Sequence, residues 1–131
     1  MKLVLDTNAY VDFAQGKADV VDLLATRSTE LFLPVIILGE LSYGFARGSR
    51  SRYNEQKLHN FMAKLGISII DVTQEIARKY SIIFLALTTK GTRIPINDVW
   101  IAACCMGVGG TLVTRDHHFD HVEQIDKIVL S

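Results

Sequence analysis

Hydrophobic residues along the chain fall into short unbroken runs that alternate with longer segments of helical spacing. The short runs predict five strands, at residues 2–5, 31–33, 67–70, 111–114 and 127–130. The longer segments repeat apolar residues three and four positions apart and predict helices, at residues 9–13, 18–25, 35–47, 51–65, 74–88 and 98–106. Strands that alternate with helices in this way indicate an α/β fold with a mostly parallel sheet.

Residues that start, stop or interrupt helices support these boundaries. Gly16 divides the first helical segment, which is either one broken helix or two. Pro34 stands where a helix begins and Gly66 where one ends, while Thr73 and Asn97 are predicted helix caps. The segments KGTRIP and RDHHFDHV are predicted loops.

Composition narrows the class of protein. The 131 residues are 49% hydrophobic and 21% charged, which predicts one domain over residues 1–131. The 14 basic residues equal the 14 acidic ones, so a broad basic surface for nucleic acid is not expected, although a local patch is compatible. The sequence shows no signal peptide pattern and no apolar run long enough to span a membrane, so we expect a cytoplasmic protein. The two cysteines, Cys104 and Cys105, are adjacent in an apolar stretch, and we expect them to be buried thiols in a reducing compartment.

Four acidic residues stand at strand ends or on apolar helical faces, where a carboxylate is unusual unless it has a structural or functional role. Asp6 follows the first predicted strand and Asp116 follows the fourth, and ligands of open α/β sheets bind beyond such strand ends. Glu40 and Asp98 share helical faces with apolar residues, where an unpaired charge is costly.

Each acid also has an ordinary structural explanation. Asp6 is suited to an Asx-turn at a strand end, and Asp98 to a helix cap. Glu40 is suited to a salt bridge with an arginine, and Asp116 to an exposed loop. Together, however, four convergent carboxylates would repel one another unless divalent cations neutralised them. Oxygen ligands without cysteine or regularly spaced histidine favour Mg²⁺ or Mn²⁺, ions suited to activating water at a phosphodiester.

Four segments carry a family resemblance: VLDTNAYVDF, PVIILGELSYGF, INDVWIAACC and LVTRDHHF. In their order and spacing the chain resembles the PIN-domain ribonucleases, and specifically the toxins of VapC-type toxin–antitoxin pairs. The resemblance implies a three-layer α/β/α sandwich and a Mg²⁺- or Mn²⁺-dependent endoribonuclease. In the family's usual mechanism, metal-bound water attacks phosphorus in line and leaves a 5′-phosphate and a 3′-hydroxyl.

The resemblance also implies roles for individual residues. Asp6, Asp98 and Asp116 would hold the metal directly or through water. Glu40 would orient or deprotonate the nucleophile, and the small polar residues near the metal are Asn8 and Thr114. The implied partners are an RNA substrate such as tRNA or mRNA, a VapB-like antitoxin whose tail enters the acidic groove, and a second copy of the chain in a homodimer. Two alternatives within the family are a housekeeping nuclease in RNA processing and a catalytically silent RNA-binding scaffold.

Basic residues offer candidate RNA contacts. Arg47, Arg50 and Arg52 form the densest basic cluster, which is either a solvated loop or a phosphate-binding patch with Tyr53 available for stacking. Arg93 and Arg115 should lie nearer the cleft, where they either bind RNA or compensate charge.

The histidines near the end of the chain, His117, His118 and His121, lack the ligand spacing of a structural zinc site. A role for one of them in RNA binding or proton transfer stays open, as does that of Asp120.

The sequence matches two other classes of protein poorly, one of phosphatases and one of signalling domains. Phosphatases of the haloacid dehalogenase type require a second Asp two residues after the first, where this chain has Asn8. Receiver-like domains place paired acids after the first strand and a phosphate acceptor after the third. Asp71 follows the third strand here, but the first strand offers a single Asp.

Overall fold

The computed structural model describes residues 1–131. Five strands form one sheet, namely β1 (Lys2–Leu5), β2 (Glu30–Pro34), β3 (Ser68–Ile70), β4 (Thr111–Thr114) and β5 (Asp126–Val129). Six helices connect them, namely α1 (Thr7–Ala14), α2 (Ala18–Arg27), α3 (Val35–Arg47), α4 (Ser51–Leu65), α5 (Gln74–Lys90) and α6 (Ile96–Val108). All five predicted strands are present, each within one residue of its predicted ends.

The strand order is β3-β2-β1-β4-β5, and every neighbouring pair is parallel. The chain runs from β1 toward β3 and then crosses back to β4 and β5. Right-handed crossovers therefore place α1 to α4 on one face of the sheet and α5 and α6 on the other. The predicted three-layer α/β/α sandwich is confirmed. Because the direction of travel reverses between β1 and β4, their carboxyl ends flank the crevice where such folds bind ligands.

The two central strands lie in the middle of the core. Leu3, Val4 and Leu5 of β1 are fully buried, as are Leu112 and Val113 of β4. Helices cover both faces of these strands, which explains why the strands are continuous apolar runs. The core holds the carboxyl ends of β1 and β4 at fixed positions.

Small residues let α6 pack closely against the sheet. Ala102, Ala103, Cys104 and Cys105 are fully buried, which confirms the predicted thiol burial. Burial raises the pKa of Cys104 to about 11 and that of Cys105 to about 12, so both stay protonated. None of the helices combines the length and apolar character needed to cross a lipid bilayer.

Most of the predicted helix boundaries are confirmed. Gly16, at φ +74°, separates two helices rather than interrupting one. Gly66 ends α4 in the left-handed conformation at φ +64°, where glycine has no Cβ to clash. The hydroxyl of Thr73 caps α5 by accepting the backbone N–H of Ile76 at 3.3 Å.

The prediction that Asn97 caps a helix beginning at Asp98 is wrong. The last helix begins at Ile96, with Pro95 at the cap position, so Asn97 lies within its first turn. Proline favours this place because its fixed φ suits a helix start and its missing N–H has no helical partner there. The side chain of Asn97 is therefore free to point toward another helix.

The predicted loop RDHHFDHV contains a short 3₁₀ helix, His117–His121. Asp116 caps this helix, with its Oδ1 accepting the backbone N–H of His118 at 2.9 Å. Phe119 anchors the helix in the core at 1% exposure. The segment after β4 is thus held in a defined conformation beside the crevice.

Candidate active site

Asp6 lies at the point where β1 leaves the sheet. The register pairs Leu5 with Val113, so Asp6 and Thr114 emerge side by side from adjacent strands. The hydroxyl of Thr114 donates to Asp6 Oδ2, and Asp6 Oδ1 accepts the backbone N–H of Ala9 at 3.0 Å. Asp6 is therefore the cap of α1 and also a carboxylate fixed at the sheet edge, so the structural explanation and the proposed role do not exclude each other.

The environment of Asp6 opposes its negative charge. The residue is 3% exposed, and burial raises its pKa from 3.8 to about 6. Hydrogen bonds from Thr114 and Ala9 lower the pKa, whereas the nearby charges of Asp116 and Asp98 raise it further. A carboxylate buried at such a cost is typical of a functional site, because folding alone would favour a neutral residue here.

Replacing Asp6 by asparagine in metal-free protein should make stability less dependent on pH. Because the folded state binds the Asp6 proton more tightly than the unfolded chain does, this carboxyl destabilises the fold as pH rises from 3.8 to about 6. Relative to wild type, Asp6→Asn should gain on the order of 3 kcal/mol in unfolding free energy between pH 4 and pH 7. Urea unfolding in EDTA at both values measures this. A stability difference between Asp6→Asn and wild type that is the same at both pH values would contradict it.

Asp98, Asp116 and His118 form a cluster whose two carboxylates act electrostatically on Asp6. His118 Nδ1 lies 3.0 Å from Asp98 Oδ2 and 3.1 Å from Asp116 Oδ1. One ligand atom from each of the three residues lies within 4.8 Å of the others, a spacing compatible with a shared metal ion. Burial raises the pKa of Asp98, His118 lowers it by hydrogen bonding, and the charges of Asp116 and Glu40 raise it.

Glu40 projects from α3 toward two other helices. Its Oε2 accepts a hydrogen bond from the Thr7 hydroxyl of α1 at 2.7 Å, and its Oε1 accepts one from Asn97 Nδ2 of α6 at 3.5 Å. Both partners are neutral, so Glu40 makes no salt bridge and its charge remains uncompensated. We call Asp6, Glu40, Asp98 and Asp116 the acidic site.

Asn8 and Arg115 fasten the segment that carries Asp116. Asn8 Oδ1 accepts the backbone N–H of Arg115 at 2.8 Å. The Arg115 Nε donates a hydrogen bond to Asp12 Oδ2 at 2.7 Å. Asp12 is 1% exposed, and its Oδ1 also lies 3.2 Å from the Lys17 Nζ. Arg115 thus makes the charge-compensating contact that was the alternative to RNA binding, although its side chain is still 38% exposed.

The other candidate RNA contacts lie outside the acidic site. The guanidinium of Arg47 stacks over Tyr43 at 5.5 Å, and that of Arg50 over Tyr53 at 4.1 Å. Arg93 lines an apolar cavity between α5 and the start of α6. RNA binding by these arginines stays a prediction.

Four residues make contacts at or beside the acidic site that were not predicted from the sequence: Thr7, Asp12, Asn97 and His118. Asp12 follows Asn8 by four residues, so their shared helical face was a signal for a common partner. His117, by contrast, points to Asp120 at 3.0 Å and is 79% exposed.

Comparison with known proteins gives the site its context. The family model described as PIN domain matches residues 3–125. Ribonuclease VapC2 of Rickettsia felis is 32% identical over 120 residues, covering 88% of this chain and 87% of that protein. Ribonuclease VapC5 of Mycobacterium tuberculosis is 27% identical over 120 residues, covering 88% of this chain and 84% of that protein.

A solved structure extends the similarity to three dimensions. VapBC2 of Rickettsia felis, bound to a DNA fragment from its promoter, contains a chain that superposes with a TM-score of 0.86 at 27% identity. The match covers 100% of both chains.

Proposed function

The chain belongs to the PIN domain family, and we propose that it is a metal-dependent endoribonuclease that acts as the toxin of a toxin–antitoxin pair. The observation that carries the proposal is the acidic site itself. Four carboxylates from separate parts of the chain lie near enough to act on one another's charge: Asp116 and Asp98 raise the pKa of Asp6, and Asp116 and Glu40 raise that of Asp98. Such a cluster is stable when a cation neutralises it, and metal-assisted hydrolysis uses that cation.

The residues present fit a hard divalent ion. Asp98 and Asp116 supply carboxylate oxygens within the cluster, and Asp6, whose charge is felt by Asp116 and Asp98, lies outside it. No cysteine sulfur is available, because Cys104 and Cys105 lie in the core. We propose Mg²⁺ or Mn²⁺ as the ion, held by these three acids directly or through water. When bound, such an ion makes water more acidic and stabilises negative charge on a phosphodiester.

The other roles in the proposed reaction are assigned to individual residues of the chain. Glu40, whose carboxylate accepts hydrogen bonds from Thr7 and Asn97, is suited to orient the attacking water or accept its proton. Thr114 holds Asp6 in a fixed rotamer, and Asn8 holds the Asp116 segment through its bond to Arg115. Water, rather than the RNA 2′-hydroxyl, is the proposed nucleophile, which leaves a 5′-phosphate and a 3′-hydroxyl.

Glu40→Gln should separate catalysis from metal binding. The amide keeps the shape and the contact with Thr7 but loses basicity, so we expect cleavage to fall by about 10²–10⁴-fold. Metal affinity should change little, because Glu40 lies outside the Asp98–Asp116–His118 cluster. Rates on a labelled RNA and calorimetric metal titration give the two values, with the exposed Glu75→Gln as the matched control. Unchanged cleavage would remove Glu40 from the reaction.

The proposed antitoxin docks beside the acidic site. An open groove lined by Val35, Ile36, Gly39, Tyr43 and Asn97 runs alongside Glu40. Its apolar wall and acidic end suit an antitoxin segment that combines apolar residues with a basic one, which would block access to the crevice. We also propose a homodimer, for which three exposed apolar side chains offer surface, namely Ile82, Leu85 and Ile96.

Expression and cleavage assays test the proposed function together. Expressing the chain alone should arrest growth of a bacterial host, and co-expressing an adjacent small antitoxin gene should relieve the arrest. Purified protein should cleave RNA with Mg²⁺ or Mn²⁺ and stop with EDTA. Cleavage that persists in EDTA would overturn the metal-dependent mechanism, and the absence of arrest would favour RNA maturation over a toxin role. A cytoplasmic location is part of this proposal, since the RNA substrate and reducing conditions for free thiols are found there.

A further inference from the structure

His118 has a position that the proposed roles of the four acids do not explain. Its Nδ1 points into the crevice and lies between the carboxylates of Asp98 and Asp116, at 3.0 and 3.1 Å. The other side of the ring reaches solvent, since the side chain is 52% exposed. The backbone N–H of His118 donates a hydrogen bond to Asp116 Oδ1 at 2.9 Å, which fixes the backbone position from which the side chain extends.

Two carboxylates facing one ring nitrogen make an incomplete arrangement. An imidazole nitrogen carries either one proton or one lone pair. A proton shared between the two carboxylates makes two bent hydrogen bonds, and a lone pair would face two negatively charged oxygens. A divalent cation between the three atoms removes this conflict, because all three then act as ligands.

The separations of the His118 nitrogen from the two carboxylate oxygens match those of ligands around one ion. Two ligand atoms about 2.1 Å from an ion and at a right angle lie about 3.0 Å apart. The nitrogen is at this separation from both carboxylate oxygens. The geometry therefore fits a site with a mixed nitrogen and oxygen donor set.

We propose that His118 is a direct nitrogen ligand of the divalent cation, alongside Asp98 and Asp116. This inference rests on the proposed metal dependence and adds a ligand to it. Because imidazole suits first-row transition metals better than it suits Mg²⁺ or Ca²⁺, His118 raises the affinity of the site for Mn²⁺ relative to Mg²⁺, and raises that for Co²⁺ and Zn²⁺ further. Metal preference in this chain thus depends on a histidine as well as on the carboxylates.

Pulsed electron paramagnetic resonance of Mn²⁺ bound to the full chain, without RNA, tests the bond itself. The wild-type spectrum should show coupling to a directly coordinated ¹⁴N nucleus. The coupling should disappear in His118→Ala and persist in His117→Ala, whose ring pairs with Asp120 instead. Mn²⁺ that binds wild type without nitrogen coupling would overturn the inference, and this result needs no variant to fold.

The affinities for Mn²⁺ and Mg²⁺ distinguish a His118 that binds the metal from a His118 that only orients the two carboxylates. In calorimetric titrations, His118→Ala should weaken Mn²⁺ binding by about 10–100-fold or more and Mg²⁺ binding by less. An orienting role would weaken both ions equally and leave their ratio unchanged, which would contradict the proposal. Mn²⁺ bound without nitrogen coupling leaves the nuclease proposal standing, whereas no binding of Mn²⁺ or Mg²⁺ to wild type would overturn both.

Discussion

Asp98→Asn is expected to reduce RNA cleavage by about a thousandfold or more while leaving the fold intact. Asp98 stands in the first turn of α6, and its Oδ2 meets His118 in the cluster that also contains Asp116. Asparagine preserves the size of the side chain but removes the negative charge that a divalent cation requires. A loss of about 4 kcal/mol in stabilising the transition state corresponds to three orders of magnitude in rate.

Stability gives the matching control for this variant. Burial raises the pKa of Asp98, so its charge opposes folding in metal-free protein, and Asp98→Asn should unfold at the same temperature as wild type or higher. Asp22→Asn removes an exposed acid from α2 and should keep full activity. Cleavage at the wild-type rate by Asp98→Asn would show that the acidic site is misassigned.

Phe119→Ala should cause the largest loss of stability among the residues near the site. Phe119 is 1% exposed and is one of the largest fully buried side chains. Truncating such a residue costs about 3–5 kcal/mol, a large share of the roughly 5–15 kcal/mol that stabilises a typical domain. The 3₁₀ helix that Phe119 anchors also carries His118 and is capped by Asp116, so cleavage should fall as well.

Urea unfolding measures this prediction through the shift of the transition midpoint. Phe119→Leu should lose less, because leucine still fills most of the space. Tyr53→Ala removes an aromatic ring that is 53% exposed, and should change stability by about 1 kcal/mol or less. If Phe119→Ala were as stable as Tyr53→Ala, the 3₁₀ helix would not be anchored as described.

The fold was largely predictable because its signals are local. Buried parallel strands are continuous apolar runs, and Gly66 and Thr73 end and start helices by their own backbone and side-chain preferences. The misplaced start of α6 had a local cause as well, since Pro95 begins the helix earlier than Asn97 suggested. The 3₁₀ helix was missed because it depends on the burial of Phe119 in a core formed by distant residues.

The candidate site was predictable in part for the same reason. The positions of Asp6 and Asp116 at neighbouring strand ends could be predicted because strand ends can be read from the sequence and meet at one edge of a parallel sheet. The partners of Glu40 could not be found in this way, because the contact with Thr7 spans 33 residues and that with Asn97 spans 57. The position of His118 between two carboxylates likewise depends on how α6 packs beside the 3₁₀ helix.

The chemistry of the cleaved ends tests the central claim most directly. Wild-type protein with Mg²⁺ or Mn²⁺ should cut an RNA oligonucleotide into fragments with a 5′-phosphate and a 3′-hydroxyl, and EDTA should prevent the cut. Mass spectrometry of the fragments distinguishes these ends from their alternatives. Fragments with a 2′,3′-cyclic phosphate and a 5′-hydroxyl, formed in the presence of EDTA, would show attack by the RNA's own 2′-hydroxyl and would contradict metal-assisted hydrolysis at the acidic site.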